Sequence, residues 1–303
     1  MKALRRNERR RVTNFDENTI TRAVLERIEN TPNPRVKVLM SALIRYLHDF
    51  AREVQLTEEE WFEGIRFLTD VGHTTNDKRQ EFILLSDTLG LSMLVTEQNH
   101  RKPPGCTEAT VFGPFYVANA PEYPLGADLA QGAKGEPCYV RANIRGLSGE
   151  PVPHARVEVW QADAAGLYDV QYDAGDHHRA RGVLRADDRG HLHFKSVLAE
   201  AYPIPTDGPV GRMLEATARH PWRPAHMHFM VEAPGYERLV THVFRAGDRY
   251  LDSDAVFGAR SSLITTWDRH EPGRAPDGTR SDIPFYTMSF DLVLSRARET
   301  TRC

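Results

Sequence analysis

Two histidines one residue apart, His226 and His228, are the side chains of this 303-residue chain whose types and spacing point most directly to chemistry. On an extended strand, residues i and i+2 project from the same face, so the two imidazoles lie side by side. Imidazole is the commonest metal ligand among side chains. Arg223 and Pro224 precede the pair and apolar Phe229 follows it, as expected for a strand that enters a core. The pair therefore predicts a metal site.

A second pair with the same spacing, His191 and His193, follows the Asp-Asp-Arg-Gly turn at 187–190. With 13 histidines in 303 residues, roughly half of one such pair is expected by chance. The turn before this second pair is typical of a half-exposed strand. We therefore expect no ligand role for it.

Tyrosine is the residue type that the sequence offers as a partner for the first pair. The three cysteines have no Cys-x-x-Cys spacing, and no His-Glu-x-x-His signature is present. Tyr168 and Tyr202 each lie where a predicted strand passes into a loop, a position at which ligands are commonly held. A phenol ionises near pH ~10, so only a strongly acidic cation such as Fe(III) would hold two phenolates at neutral pH. This set indicates ferric iron more than zinc; the alternative is two buried tyrosines bonded to backbone.

The order of the motifs resembles that of the intradiol ring-cleavage dioxygenases. The resemblance extends from the N-terminal helices to about Phe290. The motifs that carry it are Trp160-Gln161-Ala162-Asp163, Gly166-Leu167-Tyr168, the run at 201–211, and Arg223-Pro224-Ala225-His226-Met227-His228-Phe229.

The resemblance implies a ligand set and two catalytic roles. Tyr168, Tyr202, His226 and His228 would ligate one non-haem Fe(III) in each subunit. Tyr202 would also act as a base for the substrate, and Arg223 would stabilise negative charge that develops on the ring. The activity implied is an O2-dependent cleavage of an aromatic ring between two ortho hydroxyls, in the degradation of aromatic compounds.

Within the family, the chain most resembles the branch that acts on hydroxyquinol, benzene-1,2,4-triol. Three stretches favour this branch: 110–116, Thr241-His242-Val243-Phe244, and 250–258. The implied product is 3-hydroxy-cis,cis-muconate, which tautomerises to maleylacetate. Thr206 departs from the pattern, since histidine is expected there in close relatives, and it bears on the pocket rim rather than on the ligands.

The walls of a substrate pocket are also implied by the resemblance. Leu84 and Asp87 are three residues apart and share one face of a predicted helix. Asp87 would accept a hydrogen bond from the third hydroxyl of the substrate, although a solvent-facing carboxylate explains it equally well. We expect His242 to support the site without binding the metal. The predicted substrate-binding residues are Leu84, Asp87, Val111, Phe112, Gly113, Pro114, Phe115, Ile204, Pro205, Arg223 and Val256.

The elements that must position these residues change character once along the chain. Apolar residues recur at helical spacing from about Ile20 to Val95, including a predicted helix over 80–94, and Thr57 with Glu60 forms a predicted capping box. Short alternating strands separated by Gly, Pro and Asp follow, as in a β-sandwich. We predict an α+β fold with an N-terminal helical segment, residues 1–105, and a β-sandwich catalytic domain, residues 106–303.

The family builds a homodimer through its N-terminal helices, and some members bind phospholipid there. Ordinary core packing explains the apolar stripes of those helices equally well. The net charge of −3 gives no indication of a nucleic-acid partner. No apolar run of about 18 residues and no signal peptide is apparent, so we expect no membrane span. Scattered, odd-numbered cysteines are typical of a cytoplasmic protein.

Three alternatives remain at this point. The first is a catechol or chlorocatechol 1,2-dioxygenase of the same family. The second is a non-catalytic β-sandwich binding module in which the histidines and tyrosines are structural. The third is a zinc hydrolase in which Asp169 or Glu200 joins His226 and His228 as a ligand.

Overall fold

The computed structural model describes residues 14–76, 79–172 and 178–297. These residues form two compact units, with the division after Leu68. Five helices come first and are followed by thirteen strands and one further helix among the described residues, which confirms the predicted α+β class. No helix in the described ranges is long and apolar enough to cross a membrane. The predicted domain boundary at residue 105 stays a prediction.

The helices are α1 (Ile20–Arg27), α2 (Pro34–Glu53), α3 (Glu58–Thr74), α4 (Glu81–Thr88), α5 (Leu91–Asn99) and α6 (Pro209–Ala216). The strands are β1 (Pro137–Gly146), β2 (Arg156–Gln161), β3 (Arg181–Arg185), β4 (His191–Val197), β5 (Tyr202–Pro203), β6 (Trp222–Arg223), β7 (His226–Glu232), β8 (Leu239–Arg245), β9 (Ile264–Thr265), β10 (Trp267–His270), β11 (Gly273–Arg274), β12 (Arg280–Ser281) and β13 (Phe285–Leu294).

Helices α2 and α3 begin at well-formed caps. The Asn33 side chain accepts hydrogen bonds from two backbone N–H groups at the start of α2, which satisfies donors that the helix itself cannot. The capping box before α3 is confirmed, since the Thr57 N–H donates to the Glu60 carboxylate at 2.9 Å and the Glu60 N–H donates to the Thr57 hydroxyl at 3.2 Å. Helix α2 buries none of its side chains. Its large exposed apolar residues are Val36, Val38, Leu39, Met40, Leu43, Tyr46, Leu47 and Phe50.

The prediction of a single helix over 80–94 is wrong, because the helix is interrupted at Gly90. This glycine has a φ of 74°, a left-handed conformation that interrupts a right-handed helix and that glycine adopts at no steric cost. Helix α4 therefore ends at Thr88 and α5 starts at Leu91. Leu84 and Asp87 stay together on α4, and both side chains are buried.

The strands form two principal sheets, of order β3-β2-β7-β8-β9 and β10-β13-β1-β4. Their apolar faces enclose a core that includes Val140, Val157, Phe229 and Leu292, which confirms the predicted β-sandwich. Strand β4 alternates exposed His191 and His193 with buried Leu192 and Phe194. The expectation of a half-exposed strand for the second histidine pair is therefore confirmed.

A buried carboxylate joins the start of α4 to the start of α6. Glu81 is fully buried and accepts hydrogen bonds from Arg79 Nε at 2.8 Å and from the Val210 N–H at 3.2 Å. Arg79 also donates to Asp207 at 2.8 Å. The residue before α6 provides no side-chain cap. Glu81 therefore accepts a hydrogen bond from one of the backbone N–H groups of the first turn that have no partner within the helix. The contact fixes α4, which carries Leu84 and Asp87, against the segment that leads into α6.

Replacing Glu81 by alanine should lower the free energy of unfolding by about 2 kcal/mol, because the Arg79 guanidinium and the Val210 N–H lose a buried charged acceptor. Glu215→Ala, on the exposed face of α6, is the control and should change it by less than about 0.5 kcal/mol. Urea unfolding measures both values. Equal losses in the two variants would show that the buried carboxylate does not hold the two helices together.

Candidate metal centre

Four side chains from separate parts of the sandwich place their polar atoms together. The Tyr168 hydroxyl lies 3.4 Å from the Tyr202 hydroxyl, 3.3 Å from His226 Nε2 and 3.0 Å from His228 Nε2. The two Nε2 atoms are 3.2 Å apart. Separations of 3.0 to 3.4 Å are those expected between nitrogen and oxygen atoms that each lie about 2 Å from one transition metal. The four predicted ligands therefore come together, and their assignment as ligands stays a prediction.

The tautomer of His226 suits a ligand. Its Nδ1 lies 2.7 Å from the Pro224 carbonyl oxygen, and a carbonyl only accepts, so Nδ1 carries the proton and Nε2 presents a lone pair to the centre. Burial and the nearby Arg223 guanidinium lower the pKa of His226 to about 3. Burial also lowers the pKa of His228, with His242 and His226 adding to the effect. Both imidazoles are thus neutral at physiological pH and available to a metal.

The alternation of strand β7 explains why both histidines face the centre. Met227 and Phe229 point into the sandwich core, so His226 and His228, which alternate with them, project from the opposite face. His228 is paired in register with Trp160 on β2, and the indole stacks on the imidazole with centroids 4.6 Å apart. Gly113 also approaches the His228 ring, where an added Cβ would lie 3.3 Å from His228 Cε1.

Tyr168 is held by a tight turn and by an aromatic neighbour. At Gly166 φ is 73°, and an added Cβ would lie 2.9 Å from the Tyr202 Cβ, so only glycine lets the two segments approach this closely. Phe115 stacks on the Tyr168 ring with centroids 4.6 Å apart. Burial, reinforced by Tyr202, raises the pKa of Tyr168 well above its usual value. This phenol therefore keeps its proton unless a strongly acidic cation binds.

A buried cation lies beside the four donors. Arg223 Nη1 is 3.4 Å from the Tyr202 hydroxyl and 3.3 Å from His226 Nε2. Its Nε and Nη2 atoms donate to the two oxygens of Asp254 at 3.0 and 3.2 Å. Burial alone would lower the pKa of Arg223, but the charge of Asp254 raises it above its usual value. The guanidinium is therefore a fixed positive charge within reach of anything bound at the centre.

A third histidine, His242, belongs to the same cluster. It lies opposite His228 in the β7–β8 pairing, and ligand atoms of His226, His228 and His242 all lie within 4.8 Å of one another. Burial lowers the pKa of His242 well below its usual value, so this imidazole is neutral as well. These three imidazoles together could hold a metal ion. That His242 supports the site without binding metal stays a prediction.

The two carboxylates of the zinc alternative are held by arginines. Asp169 is paired with Arg181 at 2.6 and 2.8 Å. Glu200 is paired with Arg245 at 2.8 and 3.1 Å. Neither joins the histidines, so the donors assembled around His226 and His228 are phenols and a third imidazole rather than a carboxylate.

A cavity of about 500 Å³ is lined by Phe115, whose ring stacks on Tyr168, and by Pro203 and Ile204, which follow Tyr202. Thr206, the departure from the family pattern, lines its rim. Five of the predicted substrate-binding residues line it: Leu84, Pro114, Phe115, Ile204 and Pro205.

The other predicted pocket residues lie outside that lining. Asp87 and Val256 are buried, and burial raises the pKa of the Asp87 carboxyl. Val111 is also buried, and the Phe112 ring lies parallel to Trp160 with centroids 6.5 Å apart. Gly113 and Arg223 face the metal-centre side chains instead. Their contact with substrate stays a prediction.

Two residues that hold the site were missed by the sequence predictions. Asp254 lies in the 250–258 stretch that carried part of the resemblance, but only the fold brings it to Arg223. Arg181 lies on β3, a five-residue strand that was not predicted. Buried arginine paired with a carboxylate far along the chain leaves no local signal, since the two partners share no periodic pattern.

Comparison with known proteins assigns the family. A model of the dioxygenase family matches residues 111–296, and a model described as the catechol dioxygenase N terminus matches residues 33–107. The chain belongs to the intradiol ring-cleavage dioxygenases.

Individual relatives match almost the whole chain. A protein of Cupriavidus pinatubonensis named 6-chlorohydroxyquinol 1,2-dioxygenase is 58% identical over 93% of this chain and 98% of its own length. Hydroxyquinol 1,2-dioxygenase of Nocardioides simplex is 50% identical over 93% and 96%. The solved structure of hydroxyquinol 1,2-dioxygenase from Pseudomonas putida superposes with a TM-score of 0.86 at 45% identity, over 93% of this chain and 99% of that one.

The two His-x-His pairs allow a matched test of the metal centre. Replacing His228 by alanine should remove at least about 90% of the metal that the purified protein retains. Replacing a hydrogen-bond partner of a metal ligand typically lowers metal affinity 10- to 100-fold, and loss of a ligand itself should lower it further. His193→Ala, on the exposed face of β4, should retain the metal of the unaltered protein. Elemental analysis after gel filtration measures both, and equal metal content in the two variants would contradict the assignment.

Proposed function

We propose that this chain is an intradiol dioxygenase that uses one non-haem Fe(III) and O2 to cleave hydroxyquinol between its ortho hydroxyls. The product would be 3-hydroxy-cis,cis-muconate and its tautomer maleylacetate. The observation that carries the proposal is the convergence of two phenols and two neutral imidazoles beside a buried guanidinium. Family membership and the names of relatives at 45 to 58% identity support the reaction class and the substrate.

The donor set favours iron over zinc. Tyr168 is a buried phenol whose pKa is raised, so it can become a phenolate at neutral pH only against a strongly acidic cation. We assign Tyr168, Tyr202, His226 and His228 as its ligands. Ferric iron held by these residues would act as a Lewis acid that takes both oxygens of an ortho-diol and makes the ring susceptible to O2.

Tyr202 would act as a base for the substrate, and Arg223 would stabilise negative charge. The Tyr202 oxygen would accept a proton from a substrate hydroxyl, since it lies beside the other donors and the next two residues, Pro203 and Ile204, line the cavity. Arg223 Nη1 is 3.4 Å from that oxygen, so the guanidinium can donate a hydrogen bond to Tyr202 and oppose negative charge developing on the bound ring. Asp254 would hold the guanidinium in this position through its two hydrogen bonds.

The third hydroxyl of hydroxyquinol needs a polar partner, and Asp87 is our candidate. The side chain is 3% exposed, which argues against the alternative of a solvent-facing carboxylate. Burial raises its pKa, Ser92 opposes the shift by a hydrogen bond, and the charges of Arg223 and Asp254 also act on it, so Asp87 lies within electrostatic range of Arg223. A site organised around this bond would discriminate against catechol, because catechol lacks the hydroxyl that forms it.

We further propose that two copies of the chain form a homodimer through the N-terminal helices. The row of large apolar side chains on α2 is exposed, and such a surface is typical of an interaction site for protein or lipid. The other partners would be a small aromatic substrate and O2, with no nucleic acid, in the cytoplasm. A bound phospholipid at the dimer interface belongs to the same proposal.

Light scattering of the purified protein should give twice the 34.4 kDa chain mass. Leu43→Glu with Leu47→Glu should shift it to the single-chain mass, because charges would replace apolar contacts at the interface. A single-chain mass for the unaltered protein would contradict the homodimer.

The substrate assignment predicts a much larger kcat/KM for hydroxyquinol than for catechol, with maleylacetate as the product. Asp87→Ala should lower the value for hydroxyquinol by roughly 10- to 100-fold, since a hydrogen bond to a charged group is lost, and that for catechol by less than about threefold. Asp268→Ala, an exposed carboxylate on β10, is the control and should change neither. Steady-state kinetics and product chromatography supply the measurements.

Three results would count against parts of this proposal. Catechol cleaved as well as hydroxyquinol would reject the substrate but keep the family reaction. A ring-opened semialdehyde would reject the position of cleavage. Since one relative is named 6-chlorohydroxyquinol 1,2-dioxygenase, 6-chlorohydroxyquinol is the second substrate to assay, and a larger kcat/KM for it would move the assignment to the chlorinated compound.

A further inference from the structure

A buried ion pair outside the four proposed ligands contacts the surroundings of Tyr168. Arg181 on β3 and Asp169 have side chains that are 2% and 5% exposed. Arg181 Nε donates to Asp169 Oδ2 at 2.8 Å, and Nη2 donates to Asp169 Oδ1 at 2.6 Å. Nη2 also donates to the Phe115 carbonyl oxygen at 2.8 Å. One guanidinium thus forms a bidentate ion pair with a carboxylate and also donates to a backbone carbonyl of another segment.

Each partner of Arg181 is a direct neighbour of a proposed ligand. Asp169 follows Tyr168 in the chain. The Phe115 ring stacks on the Tyr168 ring with centroids 4.6 Å apart. Arg181 is also paired in register with Trp160, whose indole stacks on His228. A shift of the guanidinium would therefore be transmitted to the Tyr168 phenol from two sides.

Tyr202 is held by contacts of a different kind. It lies on the two-residue strand β5, which pairs only with the two-residue strand β6 in the described part of the chain. The nearby ion pair along the chain, Glu200 with Arg245, is 37% and 22% exposed, so solvent weakens it. The residues that follow Tyr202, Pro203 and Ile204, line the cavity. Arg223, which is paired with buried Asp254, contacts the Tyr202 hydroxyl directly, whereas Arg181 acts on Tyr168 through Asp169 and Phe115.

We propose that Arg181 and Asp169 form a positioning pair, which fixes the Tyr168 phenol at the metal centre. The inference rests on the proposed function, because it takes both phenols as ligands. A buried ion pair is a weak source of stability, and apolar residues often replace one without loss. We therefore expect this ion pair to contribute more to the position of the Tyr168 phenol than to the stability of the fold.

The test uses the iron-loaded protein in a Tyr202→Phe background, where the tyrosinate absorption reports on Tyr168 alone. Arg181→Met with Asp169→Leu removes both charges together, so no buried charge is left unpaired. The matched control is Arg185→Met with Glu122→Leu, an ion pair from the same strand whose side chains are 52% and 53% exposed. Tyrosinate absorption, the rate of iron loss to a chelator and the melting temperature of the iron-free protein are measured for each.

The positioning role predicts that the Arg181 and Asp169 replacement accelerates iron loss on the order of 10- to 100-fold, the range for outer partners of metal ligands. The tyrosinate band should weaken or shift, while the iron-free melting temperature stays close to that of the parent. The Arg185 and Glu122 replacement should leave all three readouts unchanged. Unchanged iron loss and an unchanged band in the Arg181 and Asp169 replacement would overturn the inference.

Arg181→Lys keeps the buried charge and covers the case in which the double replacement does not fold. Lysine cannot reach both Asp169 oxygens and the Phe115 carbonyl at once, so iron loss should again be faster than in the parent. Parent-like iron loss and absorption in this variant would also overturn the inference. If the Tyr202→Phe parent itself carried iron without tyrosinate absorption, the ligand assignment would fail and the positioning role with it; a parent with the band and insensitive variants would reject the positioning role alone.

Discussion

The close approach of two phenols and two imidazoles in a space without bulk water is the constraint on which the rest of the structure depends. The donor atoms of Tyr168, Tyr202, His226 and His228 lie within 3.0 to 3.4 Å of one another where hydrogen-bond distances connect them. Without a cation between them, these groups gain little from each other, because burial disfavours ionisation of both residue types. Their assembly is therefore best understood as a site prepared for a metal, with the sandwich core supplying rigidity.

Two buried arginines have different roles around that site. Arg223, held by Asp254, directs its free Nη1 to Tyr202 and His226, and so contributes charge where the substrate would bind. Arg181, held by Asp169, also donates from Nη2 to the Phe115 carbonyl, and so contributes position. Burying a guanidinium is unfavourable unless a carboxylate pairs with it, which explains why each arginine has its own aspartate.

The sequence predicted the parts of the fold that are set locally. The His226–Glu232 strand, the capping box at Thr57 and the exposed alternation at His191 follow from spacing and turn residues, and the structure agrees with all three. The break at Gly90 was missed because apolar residues continue through it. Strand β3 and the pairing of Arg181 with Asp169 were missed because they depend on register with β2, which no local pattern specifies.

The visible absorption spectrum of the purified protein, recorded with its metal content, tests the central claim most directly. Two phenolates on ferric iron predict a broad charge-transfer band in the visible range, a coloured solution, and one iron for each chain. The spectrum separates this account from a zinc enzyme and from a binding module, both of which would be colourless. A colourless protein that carries stoichiometric zinc and no iron would contradict the account.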